Sequence, residues 1–118
     1  MEIIISPNPE IASRRAAEVI KEQLLRKRAS VLGLATGGTV VGLYGELIKM
    51  YKAGEISFKK VSSFNLDEYV GLSPDDPNSY HTFMAEKFFS KIDIHLSITH
   101  IPNGPAENIR AYCTQYEN

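Results

Sequence analysis

A five-residue apolar run, Val31-Leu32-Gly33-Leu34-Ala35, breaks directly into the turn Thr36-Gly37-Gly38-Thr39. Beyond the turn, Leu43, Leu47, Ile48 and Met50-Tyr51 return at helical spacing, and Ala53-Gly54 closes that helix. A short run without polar alternation suits a strand covered on both faces, as in a parallel sheet. A strand that leaves through glycines into a helix must then cross the sheet to reach its next strand, which restricts the chain to layered α/β topologies. Gly54 suits the left-handed position that ends a helix.

The same alternation extends in both directions. Residues 2–5 read as a short buried strand. Asn8 then offers a helix cap, with Pro9 at the first helical position. Ala12, Ala16, Val19, Ile20 and Leu24 share one helical face, so this helix should run to about Arg28. Val61 to Leu66 is a further strand, leading straight into Asp67-Glu68-Tyr69. Gly71 to Asn78 has loop chemistry, and Ser79 can cap a helix from Tyr80 to about Phe89. Ser97 to Ile101 reads as a strand, Pro102-Asn103-Gly104 as a turn, and Pro105 as the opening of a last helix.

This pattern predicts one α/β domain over residues 1–118. Its sheet is open and largely parallel with helices on both faces, Rossmann-like, and ligands belong at the carboxyl ends of the strands. The last helix meets no glycine or proline before Asn118. The sheet therefore reads as incomplete on its C-terminal side, as expected of the amino-terminal part of a longer enzyme.

Charge excludes some functions. Thirteen basic and 14 acidic residues leave a net charge of −1, which gives no reason to expect a nucleic-acid or membrane partner. Arg26-Lys27-Arg28 reads as a solvated helix end. One cysteine, Cys113, excludes an internal disulfide. Ile3-Ile4-Ile5 is short beside the ~7–15 apolar residues of a secretory segment, and no stretch approaches the ~20 of a membrane span. A cytoplasmic protein is the expectation.

Two segments could carry chemistry. In Thr36-Gly37-Gly38-Thr39 the glycines let the main chain approach a ligand, the helix start aims free N–H groups at the same spot, and the threonines add hydroxyls. An anion, such as a phosphate, would fit. A tight strand-to-helix connection with no ligand accounts equally well for the spacing. Thr39 stands where a Walker loop has lysine, and the dinucleotide GxGxxG pattern is absent. The second segment is Asn65-Leu66-Asp67-Glu68, whose two carboxylates end a strand. Successive side chains alternate there, so only one of Asp67 and Glu68 should face a given cleft. A solvated strand end or helix cap would explain both. His81, His95 and His100 lack metal-ligand spacing and read as structural or exposed, so no metal is expected. Tyr80, Phe83, Phe88 and Phe89 read as core by their helical spacing.

Taken together, Leu34-Ala-Thr-Gly-Gly-Thr39 and Phe64-Asn-Leu-Asp-Glu-Tyr-Val-Gly-Leu72 resemble two signatures of the glucosamine-6-phosphate deaminase/isomerase family. Lys52-Ala-Gly-Glu-Ile-Ser-Phe-Lys59 between them and Pro77-Asn-Ser-Tyr80 after them match in order and spacing. The resemblance implies conversion of glucosamine-6-phosphate and water into fructose-6-phosphate and ammonia. It makes Asp67 the general base between C2 and C1 of the open sugar. Thr36, Gly37, Gly38 and Thr39 become the phosphate loop, with Glu68 and Tyr80 as neighbours of the substrate. It implies no cofactor, a sugar-phosphate ligand and a homo-oligomer. Ala35 stands where the family often has proline. The family's Asp-Gly-His segment, which opens the sugar ring, does not occur in these 118 residues. Only part of an active site is therefore expected here. Two other readings are a 6-phosphogluconolactonase-type hydrolase, which usually has arginine where Tyr69 stands, and a non-catalytic sugar-phosphate-binding domain, which would carry a helix-turn-helix ahead of the first strand.

Overall fold

The computed structural model describes residues 1–118. Helix α1 (Pro9–Arg26) leads to strand β1 (Val31–Leu34), helix α2 (Gly38–Lys52) and strand β2 (Ser62–Asn65). Helix α3 (Tyr80–Lys87) follows, then two short 3-10 turns at Phe89–Lys91 and Leu96–Ile98, strand β3 (Thr99–His100) and helix α4 (Ile109–Glu117). The strands pair in the order β1-β2-β3, both pairs parallel. This is the expected α/β arrangement with three strands in place of four.

Local chemistry sets the helix starts. The Asn8 side chain accepts from the Ile11 amide at 2.9 Å, directly ahead of Pro9. Ser79 accepts from the Thr82 amide at 3.1 Å, and Asn108 from the Ala111 amide at 3.0 Å. Each oxygen satisfies a main-chain donor that has no partner inside its helix.

Register and alternation divide the sheet into unlike faces. Leu34 lies beside Asn65 and Leu32 beside Ser63, and Leu34, Ser63 and Asn65 are buried. Leu34 joins the core with Tyr44, Leu47 and Ile48 of α2 and with Phe58, Val61, Met84 and Phe88. Tyr44 stacks on Phe88 at 4.6 Å, and Phe58 meets Phe88 edge-on at 5.3 Å. Asp93 fastens the turn before β2, accepting from the Ser57 hydroxyl at 2.6 Å and the Phe58 amide at 2.7 Å. On the other face Val31, Phe64 and Leu66 remain exposed, Leu66 at 93%. Helix α4 reaches this face through Tyr116, whose ring stands edge-on to Phe64 at 6.2 Å.

Three expectations about elements need correction. Residues 2–5 form no strand, and Ile5 is 89% exposed. A strand exists only as a partner in a ladder, and β1 is paired with β2 alone, so apolarity did not suffice. Helix α3 stops at Lys87, because the chain turns at Phe88 (φ −142°) and sends Phe88 and Phe89 into the core. The strand expected over 97–101 shrinks to Thr99–His100 and α4 begins at Ile109, after a 3-10 turn and an irregular stretch around Pro102 and Pro105. No helix is long and apolar enough to cross a membrane.

Candidate active site

The glycine turn sits at the carboxyl end of β1 and opens α2. Gly37 adopts φ +98°, a conformation that a side chain with a Cβ rarely takes, and this reverses the chain into the helix. Gly38 is the first residue of α2. No side-chain oxygen caps this helix, so the amides of Gly38 and Thr39 have no acceptor within the chain. A Cβ at either Gly37 or Gly38 would meet nothing within 4 Å, so the space beside the turn at those positions is open. Open amides at the positive end of a helix dipole make an anion seat. The loop is held from beneath by Tyr44, whose hydroxyl donates to the Ala35 carbonyl oxygen. Burial pushes that hydroxyl up to about 12, with the Ala35 bond working the other way.

The second segment leaves β2, whose last residue, Asn65, is beside Leu34 in the register. The glycine turn and Asp67 therefore emerge from neighbouring strands at the same carboxyl end of the sheet. Asp67 is exposed and lines a cavity of about 330 Å³ together with Leu66, Val70, Asn103, Tyr112 and Cys113. The glycine turn does not line this cavity. The expected site residues thus share that end of the sheet, but the chain does not enclose them in one pocket.

Glu68 lines the same cavity, so the expected parting of the two residues does not hold there, although its carboxylate is turned inward. Its side chain is only 1% exposed, and its carboxylate accepts from the amides of Tyr69 (2.9 Å), Tyr80 (2.8 Å) and His81 (3.0 Å). The His81 ring Nδ1 lies 2.8 Å from the same carboxylate, an ion pair when the imidazole is protonated. Burial would raise this carboxyl, but the Tyr80 amide, the His81 ring and the Tyr69 and His81 amides together hold it below the usual glutamate value. Glu68 is therefore an internal ligand of helix α3 at the wall of the cavity that Asp67 lines. Tyr80 is half-buried at the start of α3, its ring 4.7 Å from that of Tyr69.

Some features at this end of the sheet escaped the sequence. The Tyr116 hydroxyl lies 2.7 Å from the Asn65 carbonyl oxygen and 3.0 Å from that of His100, latching α4 across the ends of β2 and β3. Asn65 itself is 3% exposed, and neither its side chain nor that of Ser63 has a hydrogen-bond partner. The bond of Glu68 to His81 spans 13 residues and has no spacing signature. Only the proximity of Glu68 to a helix start could have hinted at it. No group of three His, Cys, Asp or Glu residues comes together to hold a metal ion.

No family model matches the chain. A glucosamine-6-phosphate deaminase of Thermoanaerobacter sp. (strain X514) is 54% identical over 117 residues, covering 99% of this chain and 46% of the relative. Glucosamine-6-phosphate deaminase 2 of Bacillus subtilis (strain 168) is 49% identical over 118 residues, covering 100% of this chain and 47% of the relative. A solved monomeric glucosamine-6-phosphate deaminase superposes with TM-score 0.96 and 44% identity, over 99% of this chain and 48% of that one. Over nearly all of its length the chain is similar to glucosamine-6-phosphate deaminases. It spans about half the length of the curated deaminases it matches. A 6-phosphogluconolactonase from Thermotoga maritima superposes with TM-score 0.71 at 19% identity, over 98% of this chain and 50% of that one. At that identity the likeness shows a common fold alone, so the hydrolase reading gains no support beside the deaminases.

Proposed function

We propose that this chain supplies the part of a glucosamine-6-phosphate deaminase site that seats the sugar phosphate and moves the proton between C2 and C1. The observation that carries this reading is the pairing, at the carboxyl end of neighbouring strands in a chain similar to these deaminases, of uncapped amides at Gly38 and Thr39 with an exposed carboxylate at Asp67. The phosphate rests against those amides at the start of α2, with the hydroxyls of Thr36 and Thr39 beside it. The open-chain sugar then extends toward Asp67. Its carboxylate takes the C2 proton as the C1 carbonyl becomes an enol, and returns a proton to C1. The C2 imine so formed is hydrolysed by water to fructose-6-phosphate and ammonia. The histidine that opens the ring comes from outside these 118 residues.

The substrate is a phosphorylated sugar, so the reaction belongs in the cytoplasm, with no nucleic acid or membrane as partner. The solved relative is described as monomeric, so the expected homo-oligomer has no support from it.

A coupled assay that follows fructose-6-phosphate and ammonia together tests the reading. Asp67→Asn should lower turnover by about 10²–10⁴-fold while sugar-phosphate binding persists, the usual worth of a positioned general base. Near-normal turnover in that variant would remove Asp67 from the role.

A further inference from the structure

Glu68 is the most heavily engaged side chain near the site. Its Oε1 accepts from the amides of Tyr69 and Tyr80, and its Oε2 meets both the amide and the ring of His81. Burying a carboxylate is costly unless it is paired, and here both oxygens are fully engaged. The donors come from two places: the residue after Glu68 in the loop, and the first two residues of α3, 12 and 13 positions further on. Ser79 caps Thr82, leaving the Tyr80 and His81 amides for Glu68. The negative carboxylate thus sits at the positive end of α3.

A second tie holds the same loop. The Gly71 amide donates to the Gly104 carbonyl oxygen at 2.9 Å. A Cβ on Gly104 would stand 2.3 Å from the Tyr69 carbonyl oxygen and 3.4 Å from Glu68 Cγ, so the loop is seated with no room beneath it. Asp67 lies immediately before this fastened segment, and Tyr80 is one of the residues fastened.

We propose that Glu68 is a positioning residue: with His81 it locks the loop that follows Asp67 onto the start of α3, so that Asp67 and the Tyr80 ring meet one substrate at a fixed separation. The roles of Asp67 and Tyr80 in this statement rest on the deaminase reading, whereas the clasp rests on the hydrogen bonds alone. A direct role for the Glu68 carboxylate on substrate conflicts with its burial and with its four internal donors. Glu68→Gln keeps the volume but sets an amide donor against donors, which opens the clasp. His81→Phe removes the imidazole nitrogen that meets Glu68 and keeps every main-chain donor, a milder lesion that tests the clasp even where Glu68→Gln fails to fold.

The test compares the intact wild-type protein with both variants. It measures steady-state kinetics on glucosamine-6-phosphate, affinity for inorganic phosphate, thermal melting, and hydrogen exchange at the Tyr69, Tyr80 and His81 amides. In Glu68→Gln, exchange at those three amides should rise about tenfold or more as local opening becomes easier. Its kcat should fall about 10- to 100-fold, as expected for a misplaced catalytic group. KM and phosphate affinity should stay within about threefold, because the glycine turn is untouched. His81→Phe should move exchange and kcat in the same direction by less. Unchanged exchange or unchanged kcat in the folded variants would overturn the proposal, as would a rise in KM alone or a kcat loss that only follows the unfolded fraction. A wild-type protein that, with the rest of the site supplied, neither binds inorganic phosphate nor converts glucosamine-6-phosphate would sink the deaminase reading, and exchange alone would then decide the clasp.

Discussion

Burial alone would raise the Glu68 carboxyl, but the Tyr80 amide, the His81 ring and the Tyr69 and His81 amides hold it below its ordinary value of 4.5. A carboxyl depressed by folding contributes stability that is complete above its unfolded pKa and fades as pH falls through the folded one. Wild type should therefore melt higher than Glu68→Gln at neutral pH, and the gap should close well below pH 4.5. A gap that stays constant into acid would mean that the hydrogen bonds do not favour the charged form. At the glycine turn, Gly38→Val should abolish phosphate affinity with little loss of fold. Its side chain enters the open space beside the turn and meets no protein atom within 4 Å at Cβ. Calorimetric titration with inorganic phosphate checks this, and unchanged affinity would place the anion elsewhere. At this scale the sequence was partly readable. Alternation led to the expectation that Asp67 and Glu68 would face different clefts, but β2 ends at Asn65 and both line one cavity; what turns the Glu68 carboxylate inward is a helix start 12 residues away across a loop.

Caps and turns were legible among the elements because they are local. Asn8, Ser79 and Gly54 all act within four residues of where they stand, and each does what its residue type suggested. The strand at 2–5 was misread because pairing is not local. Val31–Leu34 was read correctly because β2 exists to pair with it, whereas Ile3-Ile4-Ile5 has no such partner. The same limit hid the seat of the Tyr69–Leu72 loop on Gly104. Gly104→Ala places a methyl 2.3 Å from the Tyr69 carbonyl oxygen and 2.8 Å from that of Leu72. Main-chain atoms cannot swing aside as a flexible side chain can, so a loss of about 1–3 kcal/mol is expected in denaturant titrations. An unchanged midpoint would show that the loop shifts freely, which would also weaken the clasp at Glu68.

For the whole molecule, periodicity recovered the class of fold, since alternating apolar strands and amphipathic helices admit few layered solutions. It did not say how completely each layer would be covered. The apolar run of β1 implied cover on both faces, yet the second face shows Val31, Phe64 at 40% exposure and Leu66, with Tyr116 reaching only its edge. The inner face is closed by α2, and there Tyr44 ties the aromatic core to the glycine turn: its ring stacks on Phe88 and its hydroxyl holds the Ala35 carbonyl oxygen. That tie gives the protein its own optical indicator. Among six tyrosines, Tyr44 is pushed up to about 12, mainly by burial, while Tyr69 and Tyr116 are raised as well. Because its pKa is raised from 10.0, its contribution to stability is whole below pH 10 and disappears as pH climbs through 12. An ultraviolet alkaline titration should therefore show a late phenolate step that coincides with unfolding and that loses one tyrosine's amplitude in Tyr44→Phe. A single early step in wild type would show that Tyr44 is loose. The phenol that anchors the turn would thus let an absorbance trace report, without any added label, whether the floor of the phosphate seat is in place.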